Sequence, residues 1–142
     1  MEVLVALVVL SFGLLGQAGL QAAAMKVNQG AMLRSHATTL AYDILDRMRA
    51  NSSAATGGSY LVGWGAVSPG ATVVSTDLSE WKGRLAAMLP SGDGRVCRNA
   101  TAAATGCGAA GNFFLIEVRW VETDESNQDR VLRAPIQVVG QL

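Results

Sequence analysis

Residues 2–25 read EVLVALVVLSFGLLGQAGLQAAAM, one carboxylate followed by 23 positions without a charge. As a helix rising 1.5 Å per residue, residues 3–25 extend about 35 Å, enough for a hydrocarbon core of about 30 Å. The stretch therefore predicts a transmembrane helix over 1–25. A carboxylate beside lipid costs up to about 3 kcal/mol at a helix centre and less at its end, so Glu2 calls for a partner. Gly13, Gly16 and Gly19 recur at three-residue steps and Gly30 follows, each costing about 1 kcal/mol relative to Ala in a helix interior. With Ala22 and Ala23 they permit helices to approach closely in a membrane. The same glycines equally permit local unwinding.

Beyond Lys26 the apolar pattern narrows without stopping. Leu33, Ala37, Leu40, Ala41, Ile44, Leu45 and Met48 recur at steps of three and four, with Arg34, Asp43, Asp46, Arg47 and Arg49 largely between them. That is an amphipathic helix. It predicts that residues 26–51 continue the first helix, which ends where Asn51 and the Gly57-Gly58 pair break the pattern. A helix of about 50 residues is about 75 Å long. Residues 52–142 then form a small soluble head, whose surface-to-volume ratio leaves a thin core. Formal net charge is zero, with 15% charged residues, so no basic stripe is present to hold a nucleic acid.

The head reads as α+β. SYLVGWGAVSPGATVV (59–74) predicts a loop with one short extended piece, and DLSEWKGRLAAMLP predicts a helix over 78–89, capped by Asp77 or Ser79 and stopped by Pro90. NFFLIEVRWVE (112–122) is the clearest strand, with Phe114, Ile116, Val118 and Trp120 on one face and Glu117 and Arg119 on the other. After the polar turn ETDESNQD, Leu132, Ala134, Ile136 and Val138 alternate in the same way, which predicts an antiparallel hairpin. Pro135 lacks a ladder donor and favours an edge position for the last strand. The apolar face of the hairpin needs cover, and the amphipathic part of the long helix supplies it.

Cys97 and Cys107 bracket a run of small residues, CRNATAAATGC, that reads as a disulfide closing a flexible loop. Such a closure contributes roughly 3 kcal/mol and places the head in an oxidising compartment. Ligand supply argues against zinc, since the single histidine, His36, is far away in sequence and no second cysteine pair is present. Ser35 and His36, adjacent on the helix, point to different faces, and with Asp43 two turns on they do not make a triad. Glu122, Asp124, Glu125 and Asp129 lack the glycine and spacing of an EF-hand and read as a solvated turn. Trp64, Trp81 and Trp120 read as core or subunit-contact residues. No nucleophile, base and orienting residue group together, so the chain is expected to be no enzyme and to carry no cofactor.

MEVLVALVVLSFGLLGQAGLQ (1–21) strongly resembles the N-terminal segment of type IV pilins, in the variant found in minor pilins of the PilV type. WKGRLAAMLPSGDGRV (81–96) and FLIEVRWVE (114–122) follow in the order that such proteins show. The resemblance implies a type IV pilin-like lollipop, a long N-terminal helix packed on a small antiparallel sheet. It implies that Glu2 registers each new subunit against the N-terminal amine of a neighbour. It also implies that Met1 matches an interior residue of the motif, behind a cleaved basic leader and a methylated phenylalanine three residues upstream. That leader would reconcile Lys26 and Arg34, which follow the apolar run, with a head outside the cytoplasm. The implied partners are other minor pilins, the major pilin, a large tip adhesin, the inner-membrane assembly platform and, before assembly, the lipid bilayer. The implied location is the bacterial inner membrane, head in the periplasm, and then the pilus tip. A minor pseudopilin of a type II secretion system shares the segment and architecture. A membrane-anchored module binding a ligand through the 99–112 loop is a third reading.

Overall fold

The computed structural model describes residues 1–65, 70–103, 106–108, 110–123, 130–132 and 135–142, with the backbone alone at 123 and 130–132. The element order is α1 (Glu2–Ala50), α2 (Ser52–Thr56), α3 (Val73–Met88), β1 (Asp93–Asn99), β2 (Phe113–Arg119), β3 (Val121–Thr123), β4 (Arg130–Leu132) and β5 (Ile136–Gln141). Two compact units divide the chain, Met1–Met32 and Leu33–Leu142. The first is helix from Glu2 onward, and its large apolar side chains from Val3 to Met32 are exposed.

In the second unit the architecture is α+β. The last turns of α1 bury Ala37, Leu40, Ala41, Ile44, Leu45 and Met48, the very positions that recur at helical spacing. These pack in one core with Leu78, Trp81 and Leu85 of α3 and with Val96, Phe114, Ile116, Val118 and Val138 of the sheet. The sheet is three-stranded and antiparallel in the order β1-β2-β5, with Val96 opposite Ile116 and Ile116 opposite Val138. The strand after Pro135 is thus an edge strand. Trp81 is fully buried, and its indole Nε1 donates to the Leu40 carbonyl at 2.9 Å, tying α3 to α1.

Two local expectations are corrected. The hairpin is interrupted: β2 pairs with β5, whereas β3 pairs with β4 in a separate ribbon. The break falls where Trp120 buries its ring and the Val121 amide donates to the Pro90 carbonyl at 2.8 Å, away from the first ladder. Helix α3 starts five residues before the expected 78, capped by Thr72 and not by Asp77 or Ser79. Thr72 and Ser75 form a reciprocal capping box, with serine where glutamate is more usual, and the β-branched Val73 and Val74 disguise the first turn. Glu117 lies on the face opposite Phe114, Ile116 and Val118, as expected, and is buried there, 1% exposed. Ala134 and residues 124–129 of the polar turn lie outside the described residues.

An ionic network joins the end of α1 to α3. Arg47 reaches Asp43 at 3.3 Å, Asp77 at 3.0 Å and Glu80 at 3.0 Å. The buried Tyr60 hydroxyl donates to Asp77 at 2.5 Å. Burial, reinforced by the hydrogen bond to Asp77, pushes the Tyr60 phenol from 10.0 up to about 12. A raised pKa in the fold means that this contribution is complete below pH 10 and lost as pH rises toward about 12. Tyr60→Phe is therefore expected to remove roughly 2 kcal/mol of alkaline destabilisation. Denaturant midpoints of both proteins at pH 8 and pH 12 test this, and parallel alkaline losses would refute it.

Candidate functional site

The first candidate site is the exposed helix of the unit Met1–Met32. Glu2 stands in the first turn of α1, where a carboxylate complements the positive end of the helix dipole. Val3, Leu4, Val5, Leu7, Val8, Val9, Leu10, Phe12, Leu14, Leu15 and Leu20 are all exposed, so the apolar surface surrounds the axis. By length and composition α1 is able to cross a membrane. A Cβ built at Gly13, Gly16 or Gly19 meets no atom within 4 Å. At about 100° per residue, Glu2, Gly13, Gly16, Gly19 and Ala23 share about one third of the helix circumference, and Ala22 falls outside it. Ala22 and Ala23 are both exposed.

The second candidate is the face of the sheet turned away from the helices. Cys97 on β1 is joined to Cys107, with Cα atoms 5.4 Å apart. Cys97 stands opposite Leu115 in the register. The connecting loop returns along β1, where Gly108 donates to the Arg98 carbonyl and to Asn99 Oδ1, each at 2.9 Å. Residues 104, 105 and 109 of the loop lie outside the described residues. On the face that carries Cys97, Leu115 is fully buried and Glu117 nearly so. The Glu117 carboxylate accepts from Arg95 Nε and, at 2.8 Å, from Gln137 Nε2. Joined as a disulfide, the two sulfurs are not thiolate ligands for a metal.

A second loop lies against the same face. Trp64 stacks on two guanidinium groups, Arg119 at 4.1 Å and Arg95 at 5.0 Å from the ring centre. The loop is pinned by Asp93, which accepts from the Gly65 amide at 2.7 Å and from the buried Lys82 at 2.9 Å. Gly65 has φ of 67°, a conformation that favours glycine. Lys82 also donates to the Gly63 carbonyl at 2.8 Å. Burial works to raise the Asp93 pKa, but the bonds from Lys82, Gly65 and Gly94 outweigh it and hold the group below its usual value.

Among the other residues singled out in the sequence, Asp43 is engaged by Arg47 and Arg84, and Glu122 accepts from the Trp120 indole at 2.8 Å. Asp124, Glu125 and Asp129 lie outside the described residues. Trp81 and Trp120 are core residues, whereas Trp64 is half-exposed. Sequence reasoning missed the Trp64 stack and the burial of Glu117. The signal for Glu117 was the cysteine on the same face: once 93–99 is a strand beside β2, Cys107, bonded to Cys97, comes within 3.9 Å of the Glu117 carboxylate.

A long N-terminal helix, a small antiparallel sheet and one disulfide are together compatible with a pilin-like fold. Comparisons with protein-family models, with curated proteins and with solved structures return no match.

Proposed function

We propose that this chain is a minor pilin of the PilV type, a structural subunit of the complex that primes a type IV pilus and presents an adhesin at its tip. The observation that carries the reading is an uncharged, largely apolar exposed helix surface over residues 3–25, opened by one acidic residue, Glu2, in a chain that also contains a disulfide-bonded α+β unit. Its work is association and not catalysis. Before assembly the helix over residues 3–25 resides in the inner membrane with the head in the periplasm. On assembly the apolar surface exchanges lipid for neighbouring pilin helices, the small residues allow close packing, and Glu2 finds a cationic partner at the helix start.

Glu2→Ala is expected to lower incorporation into sheared surface pili by about tenfold, the equivalent of losing an interaction of about 1.4 kcal/mol. The second unit is expected to remain folded, because its core is built from its own residues. Immunoblots of the pilus and membrane fractions, with near-ultraviolet circular dichroism of the purified variant, check both expectations. Normal incorporation of the variant would sink the register role.

A further inference from the structure

The covered face of the sheet holds an arrangement that an assembly role leaves unused. Cys107 is exposed, whereas Cys97 is half-buried on β1. Glu117, 1% exposed, places Oε2 3.9 Å from Cys107 Sγ. The two sulfurs and a Glu117 carboxylate oxygen all lie within 4.8 Å of one another. The carboxylate is fixed there by Arg95 Nε and by Gln137 Nε2. Its balancing charge is spread over a guanidinium that is 27% exposed, where water screens it more than it screens the buried carboxylate.

We propose that thiol exchange enters this disulfide at Cys107, and that Glu117 is an electrostatic guard selecting against anionic thiols. Exchange requires a thiolate to approach the attacked sulfur along the S–S axis. Solvent reaches Cys107 more readily than Cys97. The incoming thiolate forms a new S–S bond to Cys107 Sγ while the Cys97–Cys107 bond breaks, its electron pair leaving on Cys97 Sγ as a thiolate. A second thiolate then attacks the sulfur of the first thiol, releasing Cys107 as a thiolate. Two small thiols are oxidised to one disulfide, and their two protons pass through solvent to the two cysteines. In the first step the negative charge brought by the attacking sulfur passes to the departing Cys97 Sγ, which with Cys107 Sγ lies within 4.8 Å of a Glu117 carboxylate oxygen. A further negative charge carried by the attacking molecule meets the same field, so anionic thiols are slowed most. The inference stands independently of the pilin reading.

The test uses the full chain in non-ionic detergent and three reductants: 2-mercaptoethanesulfonate, 2-mercaptoethanol and cysteamine. Each rate in Glu117→Gln is divided by the wild-type rate, so that intrinsic differences between the thiols cancel. The ratio for the sulfonate is expected to exceed that for cysteamine by about tenfold. Equal acceleration by all three thiols would mean that the substitution merely loosens the loop and would overturn the guard. Should the variant fail to fold, wild-type protein decides. Raising salt to 1 M is expected to narrow the gap between the sulfonate and cysteamine, and an unchanged gap would overturn the guard. Acid quenching early in wild-type reduction, followed by peptide mapping, is expected to find the mixed disulfide on Cys107. An adduct on Cys97 would overturn the entry point.

Discussion

Trp81→Ala is expected to destabilise the unit Leu33–Leu142 by about 4 kcal/mol, a large fraction of what a domain of this size possesses. The ring is fully buried, and three elements meet on it. It sits on α3, its Nε1 donates to the Leu40 carbonyl of α1 at 2.9 Å, and its far edge fills the space above Gly94 of β1. A Cβ built at Gly94 would lie 2.4 Å from Trp81 Cη2, so the ring and the glycine are two halves of one fit. Trp81→Phe keeps an aromatic body, loses the indole donor and part of that edge, and is expected to cost roughly half as much. Urea titrations of the full chain in detergent, followed by far-ultraviolet circular dichroism, measure all three proteins. A cost below about 1 kcal/mol for Trp81→Ala would mean that the site collapses freely and that the α1–α3–β1 junction does not depend on it.

The same junction explains what was legible in the sequence. Helix α1 was readable to its last residue, Ala50, because its apolar repeat persists with a period of 3.6 while only its width changes. Strand β2 was readable because Phe114, Ile116 and Val118 alternate and all face the core. Strand β1 was not, although it lies beside β2 along seven residue pairs. Its inward positions are Gly94, Val96 and Arg98, and one valine does not make an alternation. Gly94 is there because Trp81 occupies the place of its side chain. Arg98 is there because its guanidinium donates to the Ala55 and Thr56 carbonyls at the end of α2 and lies over the Phe114 ring, 5.2 Å from its centre. Both substitutions for an apolar residue are responses to partners distant in sequence, which a local pattern does not carry. Glu117 is the same case on the opposite face. Its charge reads as solvent-facing until Arg95, Gln137 and the disulfide loop are placed around it. At the first candidate site, Glu2 and the glycines were legible as residues, and a Cβ at Gly13, Gly16 or Gly19 would meet open space.

The double variant Cys97→Ser, Cys107→Ser is expected to lose roughly 3 kcal/mol from the closure of a loop of this length. In a unit of this size that is a fall in melting temperature of about 15 °C. The effect should not stop at chain entropy. Cys107, which the disulfide holds, stands beside the almost completely buried Glu117, its Sγ 3.9 Å from Oε2. Once it is free to lift, water reaches the Glu117–Arg95 pair, and an ion pair opened to solvent is worth little. Arg95 also supports the Trp64 ring, so the Trp64 loop is expected to loosen with it. Hydrogen exchange should accordingly accelerate in β2 and at Gly65, while the helix of the unit Met1–Met32 stays unchanged. Membrane extraction of the full chain should likewise be unaffected, because residues 3–25 make no use of the disulfide. An unchanged melting temperature would show that the loop holds its place without the bond. Faster exchange confined to residues 98–108 would show that the disulfide tethers the loop alone and leaves the Trp64 stack to Asp93 and Lys82.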